Sequence, residues 1–261
     1  MHRLLIATNN KGKIRELRDL LKDTGIDLLT PAQINLNLNV MEDGNTYAEN
    51  ATKKAIAFAR ASGLVSLADD SGLEVDALDG APGLYSARYG PPLSLPPFSQ
   101  KMGGAGGGLT DADRRAYLLQ NLQDKPQPWT ARFHATIAIA IPASYLNNVT
   151  LSRSPERSEG AAKGLERSQS ETLRSLRSLR ATDKVEVGIN SNEEVYLAEG
   201  ICEGEIIPEE RGTGGFGYDP VFLLSELGKT MAELSMDEKN RLSHRARAVM
   251  NAKPILRATF R

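Results

Sequence analysis

Residues 67–90 read LADDSGLEVDALDGAPGLYSARYG, and they indicate both the fold class and the chemistry of this chain. The short apolar run at residues 64–68 predicts a buried strand, which is followed directly by Asp69 and Asp70. Because neighbouring residues of a strand point to opposite faces, the two carboxylates cannot both face one core. At least one of them is therefore expected to point into a cleft at the carboxyl end of the strand, the usual location of α/β active sites.

Two adjacent carboxylates repel each other, and they are best tolerated when a cation lies between or beside them. The pair therefore indicates a metal site. An Asx-turn that leaves the strand is the alternative, because Asp70, Ser71 and Gly72 form an ordinary turn sequence. This stretch alone leaves both interpretations open.

The composition excludes several classes of function. The 261 residues suffice for one large domain or two small ones. Lys and Arg (32) nearly balance Asp and Glu (33), so the overall charge does not indicate a polyanionic partner. The single cysteine, Cys202, cannot form an internal disulfide, and without a signal peptide this predicts a cytoplasmic location. No apolar run approaches a membrane span, and the three histidines lack the spacing of zinc ligands.

A strand, a polar turn and a helix open the chain. The apolar run at residues 3–7 predicts the first strand, and residues 13–21 have the apolar spacing of a helix. The turn between them carries Lys11 and Lys13 and presents free backbone N–H groups at the positive end of the helix. This layout suits a phosphate, although the Walker A pattern is absent. A capped helix with two solvated lysines is the alternative.

Residues 42–55, EDGNTYAENATKKA, predict a second helix. Thr46 is its expected N-cap, and Glu49 stands three residues later, as in a capping box. Small residues on one face of this helix allow close packing, and they are Ala48, Ala51, Ala55 and Ala59.

The same motif supplies two candidate site residues. Lys54 is placed to reach a phosphate, and Glu42, just before the helix, is placed to reach a metal. A solvated helix surface is the alternative for Lys53 and Lys54, and we expect it to hold for one of the two.

Periodicity predicts the remaining regular elements up to residue 201. Apolar spacing predicts a helix at residues 111–122, and strict alternation predicts a strand at residues 131–141. Two further strands are expected at residues 185–189 and 195–201.

Two segments depart from this pattern. Residues 91–108 are rich in proline and glycine and predict a mobile loop. Residues 147–184 are rich in Ser, Arg and Glu, which favours a disordered insertion over the alternative of an RNA-binding arm.

Residues 212–222, GTGGFGYDPVF, form a second dense motif. Four glycines in six residues let a backbone approach a ligand closely. Phe216 and Tyr218 supply flat faces that suit stacking on a planar base. A glycine-rich hairpin turn is the alternative, but such a turn does not call for two aromatic residues.

Residues 230–252 predict the last helix, with Ser235 as a possible N-cap. The helix is basic, and a solvated surface is one interpretation of its charge. However, the succession Ser243, His244 and Arg245 breaks the helical pattern with hydrogen-bonding groups that suit the edge of a base.

Five motifs occur along the chain in one order: TNNKGKIREL, EDGNTYAENATKKA, ADDSGLEVDALDGAPGLYSARYG, GTGGFGYDPVF and SHRARA. The set resembles the inosine triphosphate pyrophosphatase family over nearly the whole chain, except for residues 91–108 and 147–184. The resemblance implies an α/β fold in which a single domain, residues 1–261, has an elongated mixed central β-sheet, flanking helices and two lobes around a nucleotide-binding cleft. It also implies a homodimer that hydrolyses ITP, dITP and XTP to the monophosphate and pyrophosphate with Mg²⁺.

The resemblance also implies roles for individual residues. Asp70 matches the proton acceptor, and the metal-site acids are Glu42 and Asp70, with Asp69 as a possible third. The triphosphate would be bound by Thr8, Asn9, Asn10, Lys11, Gly12, Lys13 and Lys54. Ser71 would contact the nucleotide, and the base and sugar would be held by Phe216, Gly217, Tyr218 and Asp219. The purine edge would be read by Lys239, His244 and Arg245.

Three alternative functions stay open. The first is a nucleotide-binding regulator without catalysis, although acids beside a bound phosphate argue against it. The second is an RNA-associated protein that acts through the arginines of residues 147–184, whereas the resemblance predicts neither a nucleic-acid nor a membrane partner. The third is a pyrophosphatase of the same fold with a different base preference.

Overall fold

The computed structural model describes residues 2–91, 109–145, 186–190 and 193–260. The predicted insertions at residues 91–108 and 147–184 lie outside these ranges, except for residue 91. The five α-helices given below all overlap helices that the sequence predicts. The strands are β1 (Arg3–Ile6), β2 (Asp27–Leu29), β3 (Val65–Val75), β4 (Trp129–Pro142), β5 (Glu186–Asn190), β6 (Glu193–Ile206), β7 (Phe222–Leu224) and β8 (Lys229–Thr230). The helices are α1 (Lys11–Leu21), α2 (Tyr47–Ser62), α3 (Asp111–Leu122), α4 (Met236–Leu242) and α5 (His244–Thr259).

The strands form one mixed sheet, as the resemblance implies. Within the described ranges the sheet has eight strands, seven of them in the order β2-β1-β3-β4-β6-β7-β8, while β5 pairs with β6. Strand β1 is parallel to β2 and to β3. Strand β6 is antiparallel to β5 and β7, and β7 is antiparallel to β8.

Strand β3 differs from the prediction. The strand was expected to end in Asp69 and Asp70, with an Asx-turn that leaves the strand as the alternative, but β3 continues through both aspartates to Val75. The predicted end of the strand and the Asx-turn alternative are therefore wrong. Leu73 and Val75, which follow the two acids, are apolar and fully buried. The strand therefore stays buried beyond Asp69 and Asp70.

The single helix predicted at residues 230–252 is divided into two helices, α4 and α5. Helix α4 begins after Ser235, whose hydroxyl accepts a hydrogen bond of 3.2 Å from the N–H of Glu238. It ends at Leu242, and α5 begins two residues later, after Ser243, which has extended backbone dihedrals. Of the three residues that interrupt the pattern, only Ser243 lies outside the two helices, and residues 230–235 are not part of an α-helix.

The chain divides into two compact units. The first contains the described residues of Met1–Asp70, Ala135–Gly200 and Arg245–Arg261, and the second those of Ser71–His134 and Ile201–His244. One division falls inside β3, between Asp70 and Ser71. No helix in the described ranges is both long and apolar enough to cross a membrane.

In the first unit, helices cover both faces of the sheet. One buried cluster joins Leu4 and Ile6 of β1 to residues of α1 and α5. A second cluster joins Leu5 and Ala7 to the alanine face of α2. Alternate residues of β1 therefore pack against helices on opposite faces of the sheet, as the pleat of a strand requires. The close packing predicted for α2 is confirmed, because Ala51, Ala55 and Ala59 are fully buried.

The second unit has a separate core. Its buried cluster joins Leu73 and Val75 of β3, Leu118 and Leu122 of α3, and the aromatic ring of Phe222. The helix at residues 111–122 has the predicted bounds. Tyr218 of the glycine-rich motif at residues 212–222 belongs to this core, so the core holds the motif in place.

Candidate functional site

The side chains of Asp69 and Asp70 lie on opposite faces of the sheet in the first unit. Val65 and Leu67 of β3 belong to the cluster of α1 and α5, and Ala68 belongs to that of α2. The alternation of the strand continues through the acids, so Asp69 meets α1 and α5 while Asp70 meets α2. Both aspartates are buried, at 1% and 7% exposure respectively. Each carboxylate therefore needs charged partners in its own layer.

The partners of Asp69 form a buried network of ion pairs. Its Oδ2 lies 2.7 Å from the Nζ of Lys13 and 3.1 Å from the Nη2 of Arg245. Arg245 also pairs with Glu16, one turn along α1 from Lys13. Burial alone would raise the pKa of Asp69, but the charges of Arg245 and Lys13 hold it well below its usual range. These four side chains carry two positive and two negative charges, so the network is balanced.

Asp70 has a different surrounding. Its Oδ1 accepts a hydrogen bond of 2.9 Å from the Nζ of Lys54, which also lies 3.2 Å from the Oε1 of Glu42. Burial raises the pKa of Asp70, and the charge of Lys54 opposes this only in part. Burial lowers the pKa of Lys54, but Asp70 and Glu42 outweigh it and the pKa lies above its usual value. Counting these three side chains, one negative charge is left in excess.

The two lysines converge on one backbone atom. The carbonyl oxygen of Asp69 accepts hydrogen bonds from the Nζ of Lys54 at 2.8 Å and from the Nζ of Lys13 at 3.3 Å. Because α1 and α2 each contribute one ammonium group, the middle of β3 has two cations beside the two acids. Each layer therefore contributes one ammonium group to this point, and each of these groups is paired with an aspartate of its own layer.

The turn after β1 has the geometry of an anion site. Asn10 is the N-cap of α1, and its Oδ1 accepts a hydrogen bond of 3.1 Å from the N–H of Lys13. Thr8 Oγ1 accepts a hydrogen bond of 3.2 Å from the N–H of Asn10. Asn9 and Lys11 are exposed and Gly12 is half-buried. The turn and the positive end of the helix dipole thus adjoin the ammonium group of Lys13.

Helix α2 fixes the loop that carries Glu42. Asn50 Oδ1 accepts a hydrogen bond of 2.8 Å from the N–H of Gly44. Thr46 caps the helix as predicted, accepting the N–H of Glu49 at 3.1 Å. The carboxylate of Glu49 accepts a hydrogen bond from the N–H of Asn45, one residue before the N-cap, and not from the N–H of Thr46 as in a capping box. The local sequence therefore holds the backbone two residues from Glu42.

The expectation for the paired lysines is confirmed. Lys53 forms an exposed pair with Asp43 at 2.7 Å, whereas the side chain of Lys54 is only 9% exposed. The two residues differ by about 100° around the helix axis, so only one of them faces the sheet.

Glu42 and Asp70 suit a magnesium ion. In the part of the chain that the structure describes, no three His, Cys, Asp or Glu side chains form a group that could hold a metal. Mg²⁺ in proteins is commonly bound by one or two carboxylates, and waters and substrate phosphates complete its six ligands. Two carboxylates around one ammonium nitrogen, with one negative charge in excess, fit that donor set.

A second group of predicted residues lies in the second unit. The Oδ2 of Asp219 lies 2.6 Å from the Nζ of Lys239, and both side chains are buried. The same oxygen accepts a hydrogen bond of 2.9 Å from the N–H of Phe216. Lys239 Nζ lies 5.4 Å from the centroid of the Phe216 ring. A side-chain atom at Gly215 would collide with the Asp219 carboxylate, so glycine is needed there.

Other predicted residues of the second unit have different surroundings. Tyr218 is buried in the core, and its hydroxyl donates to the carbonyl of Ser86 at 2.9 Å. Its ring therefore does not fit the stacking role, which leaves Phe216 as the half-buried aromatic residue of this motif. The ring of His244 stacks on that of Phe133, with the centroids 4.7 Å apart. Ser71 is half-buried in β3.

Arg245 belongs to a different unit from the other residues predicted to read a purine. Lys239 and His244 belong to the second unit, whereas Arg245 belongs to the first and is 1% exposed. Its three side-chain nitrogens contact Glu16 and Asp69. These contacts support a positioning role, and the predicted contact with a base stays a prediction.

Sequence reasoning missed three residues. Glu16 could have been found from its spacing, because it is one helical turn from Lys13. Asp111 and Arg115 of α3 contact Gly217, a residue more than 100 positions away, and no local pattern marks that contact.

Comparisons with known proteins relate this chain to one family. The model of the Ham1 family matches residues 4–160 and 142–255. A relative from Desulforamulus reducens, named dITP/XTP pyrophosphatase, is 39% identical, and the alignment covers 99% of this chain and 97% of the relative. A dITP/XTP pyrophosphatase from Bacillus subtilis is 33% identical, with 99% and 98% covered.

Solved structures show the same fold. A HAM1 protein from Coxiella burnetii is 29% identical, with a TM-score of 0.66 and coverage of 98% of this chain and 99% of that one. The Ham1 protein of Staphylococcus aureus is 28% identical, with a TM-score of 0.63 and 98% of both chains covered. The predicted fold class, a mixed sheet with flanking helices, is confirmed. The chain belongs to the Ham1 family.

Proposed function

We propose that this protein hydrolyses the deaminated purine nucleotides ITP, dITP and XTP to the monophosphate and pyrophosphate. The observation that carries the proposal is the convergence of Glu42 and Asp70 on the ammonium group of Lys54. That group combines a cation for phosphate, two acids for a metal and a buried candidate base. The names of the relatives supply the substrate class, because two of them are dITP/XTP pyrophosphatases at 39% and 33% identity.

The triphosphate binds at the N-terminus of α1 in this proposal. A nucleoside triphosphate carries about four negative charges, and positive charge must balance them as the bond breaks. The turn of Thr8, Asn9 and Asn10 supplies polar groups, and the residues that begin α1 supply N–H groups and charge: Lys11, Gly12 and Lys13. Lys54 adds a second ammonium group next to that of Lys13.

Glu42 and Asp70 hold Mg²⁺ in this proposal. When bound, the ion neutralises phosphate charge and polarises the phosphorus–oxygen bonds. Asp69 is the weaker candidate for a metal ligand, because its Oδ2 is paired with Lys13 and Arg245. We assign Asp69 to the support of Lys13 instead.

Asp70 is the proposed general base. It accepts a proton from a water aligned on the α-phosphorus, opposite the leaving group. The water oxygen forms a bond to the α-phosphorus, the bond from that phosphorus to the bridging oxygen breaks, and pyrophosphate leaves with the electron pair. A pKa above the usual range of an aspartate makes Asp70 a stronger base, while Lys54 favours its ionised form.

Residues of the second unit bind the nucleoside in this proposal. Phe216 stacks on the base, while Gly217 and Asp219 hold the base and sugar side, Tyr218 supports this segment from the core, and Ser71 contacts the nucleotide. Hypoxanthine and xanthine present an acceptor oxygen at C6, whereas adenine presents a donor amine. Donors such as Lys239 and His244 satisfy that oxygen and would be left unpaired by adenine, at a cost of roughly 1–3 kcal/mol per group.

The remaining proposals rest on the family resemblance. We propose a single catalytic domain with two added segments, which acts as a homodimer in the cytoplasm. Sedimentation of the purified protein tests the dimer: two chains per particle agree with it, and one chain contradicts it.

A substrate panel tests the proposed function. ITP, XTP, dITP, GTP, ATP and dTTP are incubated with the protein and Mg²⁺, and released pyrophosphate is measured. The expected result is Mg²⁺-dependent release that is fastest with ITP, dITP and XTP. Release that is fastest with another base would indicate a different preference, and binding without release would indicate a non-catalytic protein.

A further inference from the structure

Helix α3 holds both polar groups of the peptide backbone at Gly217. The carboxylate Oδ2 of Asp111 accepts a hydrogen bond of 2.7 Å from the N–H of Gly217. The Nη1 of Arg115 donates a hydrogen bond of 2.8 Å to the carbonyl oxygen of the same residue. Asp111 and Arg115 are four residues apart, so they lie on one face of the helix. Gly217 is thus held from both sides by one helical turn.

Both side chains are fixed by further contacts. Arg115 forms two hydrogen bonds with Glu210, from Nε to Oε1 at 2.8 Å and from Nη2 to Oε2 at 2.9 Å. Such a two-point contact sets the plane of the guanidinium group. Asp111 pairs with Arg114 in the next turn. Burial would raise the pKa of Asp111, but the N–H of Gly217 and the charge of Arg114 lower it, so the carboxylate is ionised near neutral pH.

The position of Gly217 decides the position of Phe216. Gly217 has φ +62°, a conformation that glycine adopts without strain. Phe216 immediately precedes it, and its own N–H is held by Asp219. The backbone is therefore fixed on both sides of the Phe216 side chain, by Asp219 before it and by α3 after it.

We propose that Asp111 and Arg115 are positioning residues that fix the ring of Phe216 for stacking on the substrate base. This inference rests on the proposed function for the identity of the base. Loosening the Gly217 backbone weakens nucleoside binding, because the ring must then be ordered each time a nucleotide binds. Contacts with the phosphates are unaffected, since the proposed phosphate residues belong to the first unit.

Binding measurements test the inference without turnover. The probes are the α,β-methylene analogue of ITP, in which carbon replaces the bridging oxygen, and inorganic tripolyphosphate, which has no base. Asp111→Ala and Arg115→Ala are expected to weaken binding of the analogue roughly tenfold, the effect of one lost charged hydrogen bond. Binding of tripolyphosphate is expected to be unchanged.

Two further variants serve as controls. Asp111→Asn keeps an oxygen that accepts the N–H of Gly217, so it is expected to restore most of the affinity for the analogue. Glu210→Gln weakens the two-point contact that sets the plane of the Arg115 guanidinium group but keeps both side chains that touch Gly217, so it is expected to weaken binding of the analogue less than Arg115→Ala does. These two results would separate a contact with Gly217 from a general loss of charge or stability.

Two outcomes would overturn the inference. Folded Asp111→Ala and Arg115→Ala proteins that bind the analogue with unchanged affinity would show that the Gly217 contacts do not serve the base. Equal weakening for the analogue and for tripolyphosphate would show a general structural effect. Failure of the proposed function is a different result, because it is seen as absence of pyrophosphate release from ITP by the unchanged protein.

Discussion

The Nζ of Lys54 lies 2.9 Å from the Oδ1 of Asp70, and both side chains are only 9% exposed. The lysine comes from α2 and the aspartate from the middle of β3. This pair places a cation suited to phosphate against the proposed general base. The ionisation of Asp70 is therefore coupled to the charge of Lys54.

Replacing Asp70 with Asn should abolish most of the turnover while nucleotide affinity changes less than about tenfold. A general base acts mainly in the transition state, and its loss typically costs on the order of a thousandfold in rate. Pyrophosphate release measures the turnover, and equilibrium binding of the α,β-methylene analogue measures the affinity. Retained turnover would remove Asp70 from the catalytic role.

Replacing Lys54 with Met should move the acid limb of the pH–rate profile to higher pH. Asp70 must be ionised to accept a proton, so the rate falls as the pH drops through its pKa. Burial already raises that pKa, and Lys54 is the first of the charges that lower it, so its removal raises the pKa further.

The neighbouring lysine provides a matched control for this shift. Lys53→Met removes an equal charge from an exposed pair with Asp43, and its acid limb should stay in place. The same acid limb in the Lys54→Met and unchanged proteins would contradict the coupling.

Replacing Asp69 with Asn should lower the free energy of unfolding by about 3 kcal/mol near neutral pH, because it leaves Lys13 and Arg245 without their shared carboxylate. The pKa of Asp69 is depressed in the folded protein. Its contribution to stability is therefore present above the pKa of the unfolded chain, and it is lost as the pH falls toward the folded value. Urea unfolding should show a constant difference between about pH 7 and pH 5 that shrinks below about pH 4.

An exposed aspartate gives the comparison for this measurement. Asp23 pairs with Lys253 at 2.8 Å, and its side chain is 59% exposed. Asp23→Asn should change stability by less than about 1 kcal/mol. If Asp69→Asn were as mild as this control, the buried network would not be a main source of stability.

Replacing Arg245 with Lys should lower stability and leave the preference for ITP over ATP unchanged. Lysine cannot reproduce the three-nitrogen contact with Glu16 and Asp69, because it has a single terminal nitrogen. Thermal unfolding and the ratio of kcat/KM for ITP and ATP measure the two effects. A folded variant that loses its preference for ITP would instead assign Arg245 to the purine edge, as the family resemblance implies.

The sequence predicted the elements whose signals are local. The bounds of α3 follow from the apolar spacing of its residues. The different exposures of Lys53 and Lys54 follow from their different directions around the helix axis. The alternation of Asp69 and Asp70 was also predicted. The strand nevertheless continues beyond them, because apolar residues after the acids restore its burial.

Contacts between distant parts of the chain could not be predicted in this way. Arg245 meets Asp69 across 176 positions and Glu16 across 229. Such pairs depend on how the helices pack on the sheet, which periodicity does not encode. An arginine next to a histidine therefore suggested a surface contact with a base, whereas the structure buries it among acids.

Hydrolysis of ITP in water with isotopically heavy oxygen tests the central claim most directly. If Asp70 activates a water that attacks the α-phosphorus, the heavy oxygen must appear in the monophosphate and not in the released pyrophosphate. This result should depend on Mg²⁺ and disappear with Asp70→Asn. Heavy oxygen in the pyrophosphate, or release of single phosphate groups, would contradict the claim.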